Sequence, residues 1–152
     1  MQFTLRISVL LLFLVSTCIP SRAADKITIL DEQQLLQLEQ RAEQANPRDQ
    51  CFLYTELVSA MTEIAGQQLK SDNPSQATAT LNKIAKYAQL IQVKLSRDTK
   101  RLKNAEQLMH RTTYKLNEYL HSASYEDRPT LQATLKQLNQ VQSDILTQVF
   151  NH

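Results

Sequence analysis

From about residue 30 onward, apolar side chains return every three or four positions, the spacing that lines one face of an α-helix. Cys51, Tyr54, Val58, Met61, Ala65 and Leu69, flanked by Leu57 and Ile64, form one such stripe. A longer one runs through Leu81, Ile84, Ala88, Ile91, Leu95, Asp98, Leu102, Ala105, Met109, Thr112, Leu116, Tyr119 and Ala123 without losing phase. A seam carried that far predicts a single helix of about 50 residues, about 75 Å if straight. Leu131, Leu135, Leu138, Ile145 and Val149 mark a last helix, its stripe widened by Val141 and Leu146 and interrupted by Gln142. No strand pattern follows the first two dozen residues.

Punctuation sets the boundaries. Asn46-Pro47 and Asn73-Pro74 each place a capping side chain before a proline at the first helical position, and Asp127-Arg128-Pro129 opens the last helix after a turn at 124–127. The first helix starts near Thr28 or Asp31 and ends near Ala45. The expected architecture is all-α, four helices at about 29–45, 48–71, 74–123 and 128–150, in an elongated bundle. The first two would pack on one half of the long helix and the last on its other half. Asp98 is the charged residue in the long seam, and burying it alone would be costly, so water or a basic neighbour, Lys94 or Arg101, must serve it. A break near Asp98 would give five shorter helices with the same stripes.

The first residues change where all this takes place. Arg6 followed by the apolar run 7–16, with Ser21 and Ala23 as small residues at a cleavage site, reads as a signal peptide removed after Ala23. The run is too short for a spanning helix, which needs roughly 20 residues. A competing reading makes Val15-Ser16-Thr17-Cys18 a lipobox, with Cys18 as a lipid anchor. The mature chain, 129 of the 152 residues, is then a single exported domain, periplasmic or secreted, with no transmembrane segment.

Composition agrees with helix: one Gly, four Pro and no Trp. The leader carries Arg6 and Arg22, two of the 17 basic side chains, so the remainder has 15 against 15 acidic ones. That balance argues against nucleic acid as a partner. The basic run Lys94, Arg97, Lys100, Arg101 and Lys103, continued by Arg111 and Lys115, winds around a continuous helix as a solvated face.

Chemistry is sparse. Glu118 and His121 form one Glu-x-x-His unit, but di-iron bundles need a second on another helix, and neither residue lies on the seam. Haem attachment lacks its Cys-x-x-Cys-His, and Met61 with His110 is an arbitrary axial pair. Among His110, His121 and His152 none neighbours a nucleophile in a catalytic setting. No catalytic residue, metal ligand or cofactor is therefore assigned. Cys51 is the single thiol after cleavage, and it reads as a core residue, an intermolecular disulfide or a redox group. Gly66 weakens its helix but admits close approach of another backbone, and it reads as a helix-crossing contact.

Ile64, Ala65, Pro74, Ala77, Leu81 and Ile84 resemble the packing positions of one tetratricopeptide hairpin, with no second copy at a period near 34 residues. Leu30-Asp31-Glu32-Gln33-Gln34 is similar to the Leu-Thr-x-x-Gln motif of periplasmic helical stress chaperones. The runs 51–58 and 98–106 resemble a family of exported bacterial all-helical proteins, which implies export and helices but lends no activity. The expected function is non-enzymatic protein–protein interaction or self-association, through Leu116, Tyr119, Leu120, Ala123, Val149 and Phe150. A small-molecule or metal-binding bundle and a holdase-type chaperone are the alternatives.

Overall fold

The structure is a computed structural model that describes residues 30–151. The segment 1–23 expected to be a signal peptide, its expected cleavage site, Cys18 and Thr28 lie outside the described residues. Five helices lie among the described residues: α1 (Glu32–Gln44), α2 (Pro47–Lys70), α3 (Pro74–Lys94), α4 (Leu102–Ser122) and α5 (Arg128–Phe150). None is long and apolar enough to cross a membrane.

Local chemistry explains the starts. Asp31 accepts the Gln34 amide at 2.7 Å, while the Gln34 side chain accepts the Asp31 amide at 3.1 Å, a reciprocal capping box. Asp31 and Gln34 thus cap α1. Asn46 accepts the Arg48 amide at 3.0 Å ahead of Pro47. Asn73 makes no side-chain cap, so at α3 only the proline of the expected signal operates. Before α5, Ser124 accepts the Asp127 amide at 3.2 Å and donates to its carboxylate at 2.7 Å.

The four-helix expectation is wrong: the 74–123 segment is two helices. Leu95 is extended, the Thr99 amide turns back to the Ser96 carbonyl at 3.1 Å, and the Thr99 hydroxyl accepts the Ser96 amide at 2.9 Å. Arg101 is left-handed, at φ 61° and ψ 27°. No proline or glycine is involved. The break is stabilised instead by the start of α2: the Lys100 amide donates to the Arg48 carbonyl and Arg48 Nε to the Asp98 carbonyl, each at 2.8 Å. The Arg101 guanidinium also lies 3.5 Å from the Phe52 ring centroid. These contacts offset the helical hydrogen bonds given up across 95–101. Asp98 is exposed, which removes the cost of burying it, and neither Lys94 nor Arg101 forms an ion pair with it.

The break also overturns the elongated shape. α2 and α3 form one antiparallel hairpin and α4 and α5 a second; α2 packs beside α4, α3 beside α5, and α1 against α2. Cross-links from Lys115 to Glu63, Gln137 to Ala85 and Gln92 to Asp144 each join positions 52 apart. The stacked helices are therefore parallel, α2 with α4 and α3 with α5. Segment 95–101 crosses the lower end diagonally, and the turns 71–73 and 123–127 sit together at the upper end. Both halves of the long stripe face this core: Leu81, Ile84, Ala88 and Ile91 from one, Leu102, Ala105, Met109 and Leu116 from the other. Leu146, expected to widen the α5 stripe, is exposed.

Candidate functional site

Gly66 organises the upper end. Its missing side chain lets the Tyr119 ring of α4 lie flat on α2, where a Cβ would overlap ring carbons. The close approach expected at Gly66 is thus made by a side chain, not by a second backbone. The Tyr119 hydroxyl donates to Glu63 at 3.0 Å, and Lys115 donates to the other oxygen of Glu63 at 2.8 Å. Lys70 stands 5.6 Å from the ring centroid. Burial, then the hydrogen bond and charge of Glu63, push the Tyr119 hydroxyl well above its ordinary 10.0. The ring is a fixed, neutral wall.

Two turns build the other walls. The Asn73 amide reaches the Gln68 carbonyl at 2.9 Å and the Asp72 amide the Leu69 carbonyl at 3.3 Å, a Schellman ending with Asp72 at φ 54° where glycine is usual. The 123–127 turn lies opposite. Between them opens a cleft of about 760 Å³, bounded by Gly66, Leu69, Lys70, Tyr119, Ala123 and Tyr125 among others. Tyr125 is 89% exposed at its rim. Leu69, Tyr119 and Ala123 share its lining with Lys70, Asp72, Ser122, Ser124, Glu126 and Asp127, so the cleft is as polar as it is apolar.

The residues singled out from the sequence scatter. Tyr119 and Ala123 line this cleft, Leu120 is partly buried against the core, and Leu116 is wholly buried and closed to any partner. Val149 and Phe150 lie at the lower end, because α5 runs antiparallel to α4 and carries its last turn the length of 23 residues away, about 34 Å. They do not join the Tyr119 group. Comparison with known protein families, with curated proteins and with solved structures finds no match. No family is assigned to the chain.

Cys51 is fully buried, and that burial pushes its thiol up to about 12. Glu118 and His121 are both exposed, with His121 Nδ1 2.7 Å from the Asn117 carbonyl. Among the described residues no group of three or more His, Cys, Asp and Glu side chains is placed to hold a metal ion. Met61 is in the core and His110 on the surface beside Gln142, so they share no site.

Sequence reasoning missed Glu63, Lys70, Asp72 and Tyr125. Tyr125 carried a signal, since an aromatic residue in a four-residue polar turn has no core to enter. Asp72 acquires its role from the local ending of α2, and Glu63 and Lys70 acquire theirs only from the parallel stacking of α2 and α4.

Proposed function

We propose that this chain is an exported, non-enzymatic helical module that binds another protein at the upper cleft. The observation that carries the reading is Tyr125, a large aromatic side chain left almost wholly in solvent beside a cleft that includes the Tyr119 ring seated on Gly66. Aromatic residues at the rim of a preorganised concavity supply contact area at small entropic cost. Export rests on the leader pattern of residues 1–23.

The test is a photo-crosslinking amino acid placed at Tyr125 in the full chain, expressed in its own host, with the same probe at exposed Gln132 as control. A discrete protein adduct at position 125, absent at 132 and lost on Lys70→Glu, is expected. Equal labelling at both positions, or none at 125, overturns the reading. Recovery of the chain from the cytoplasm with residues 1–23 attached would overturn the export half independently.

A further inference from the structure

The break at 95–101 does more than shorten a helix. On a continuous helix Lys94, Arg97, Lys100, Arg101 and Lys103 would wind around the surface; the reversal at Thr99 instead gathers them at one end of the bundle. Arg48 joins them through its contact with the Asp98 carbonyl. Against these six basic side chains stand Glu43, Asp49, Asp98, Glu106 and Asp144 among the described residues, the last accepting from Gln92 at 2.6 Å beside Val93, so the balance at this end is one positive charge. The upper end has the opposite balance, with Asp31, Glu32, Asp72, Glu126 and Asp127 against Lys70 and Arg128.

Apolar groups accompany the cationic end. Val93 and Phe150, in the last turns of α3 and α5, are 76% and 81% exposed. Between the basic side chains a shallow hollow of about 340 Å³ is bounded by Thr99, Arg101, Leu102, Lys103, Asn104 and Val149. Its floor is apolar and its rim is cationic.

We propose that the lower end of the bundle docks on an anionic lipid surface, with Lys94, Arg97, Lys100 and Lys103 at the headgroups and Val93 and Phe150 entering the interface. Basic side chains flanking isolated apolar ones are what such a surface holds, by electrostatic attraction and by shallow burial of the apolar tips. A folded acidic partner would have to supply pockets for two side chains that protrude from separate helices, whereas a fluid interface needs none. Single-stranded nucleic acid would call for successive aromatic platforms, and Phe150 is the lone exposed aromatic side chain at this end among the described residues. Docked this way, the bundle points its acidic end and the upper cleft away from the lipid.

The test is co-sedimentation of the full chain, as its host processes it, with phosphatidylcholine vesicles that contain one-third phosphatidylglycerol or none. Binding to the anionic vesicles alone is expected. At roughly 1 kcal/mol per basic side chain near such a surface, Lys100→Gln with Lys103→Gln should lower the partition coefficient by about 30-fold. Phe150→Ser should lower it by about tenfold, the effect of withholding one aromatic side chain from the interface. These three side chains are exposed, and unchanged helical circular dichroism verifies that the variants fold. Equal binding to both vesicle types, binding unmoved by the lysine variants, or retention by polyglutamate with no vesicle binding would each overturn the proposal. Because the upper cleft takes no part, loss of crosslinking at Tyr125 and loss of vesicle binding are separable results.

Discussion

The two hairpins share one layout and differ in what covers them. The first, α2 with α3, lies between α1 on one side and the second hairpin on the other, whereas α4 with α5 has one face against the first hairpin and one in water. Burial follows: α2 hides Gln50 to Thr55 as an unbroken run, while α4 hides a single stripe of Leu102, Ala105, Met109, Thr112, Thr113 and Leu116. Two polar members of the inner helix are satisfied locally, Thr55 and Thr62 donating back to the Cys51 and Val58 carbonyls at 2.9 and 2.8 Å. Gln50 instead donates to the Glu43 carbonyl of α1 at 3.1 Å, and its buried Oε1 has no partner among the described residues. The lesson is that position in the stack, more than helix propensity, decides what a given side chain contributes to stability.

The sharpest test of that difference compares two leucines. Leu57, wholly buried in the first hairpin, should cost about 2–5 kcal/mol when changed to Ala. Leu146, 40% exposed in the second, should cost under about 1 kcal/mol. Urea denaturation of both variants measures this, and similar losses would break the comparison.

The contact between the hairpins comes next. Gly66→Ala should destabilise by about 1–2 kcal/mol, since displacing Tyr119 and its bond to Glu63 outweighs the helix propensity gained. With Tyr119→Ala already in place, the same change should become stabilising by about 1 kcal/mol. A sign that stays the same in both backgrounds would show that the ring does not set the cost.

A pH dependence distinguishes the inner helix further. The Cys51 thiol keeps its proton in the fold to about 12 but releases it near 9.0 when unfolded. Its stabilisation is therefore complete below pH 9.0 and lost as pH rises toward 12, by roughly 1.4 kcal/mol per pH unit. Tyr87 and Tyr119, also raised, act in the same direction at higher pH. Thermal melts of Cys51→Ala should show a flatter decline across this window; an unchanged slope would assign it to the tyrosines.

The smallest effect belongs to a turn. Asp72→Gly should stabilise by about 0.5–1 kcal/mol by relieving a left-handed non-glycine residue. A loss of stability there would show that the carboxylate has a partner worth more than the strain.

Much of this fold was legible in its apolar spacing. The stripes on both sides of Asp98 face the core, and Pro47, Pro74 and Pro129 lie in the first turns of their helices. What could not be read was continuity. A helix interrupted by Pro or Gly announces itself, but this one is interrupted by a Ser96–Thr99 turn and a left-handed Arg101, residue types that also occur inside helices. The stabilising partners, Arg48 and Phe52, lie some 50 positions earlier, and no local pattern connects them. The same gap hid the cleft: Tyr119 was visible as a seam residue, but its seat on Gly66 depends on α2 and α4 running parallel. Antiparallel pairing of α4 with α5 likewise separated Phe150 from Tyr119, which spacing along the chain had grouped.

The diagonal crossing at 95–101 also sets an order of events for a chain that emerges N-terminus first. Within each hairpin the partners meet across turns at 71–73 and 123–127, so closure is local and fast. Contacts between hairpins join residues 52 apart and must wait for α4 to be made. The first hairpin therefore closes early with one apolar side still bare, and arrival of the second shields it. A delay after α3 has emerged and before α4 follows would leave that side open to any other exposed apolar surface, so the risk of aggregation concentrates in that interval.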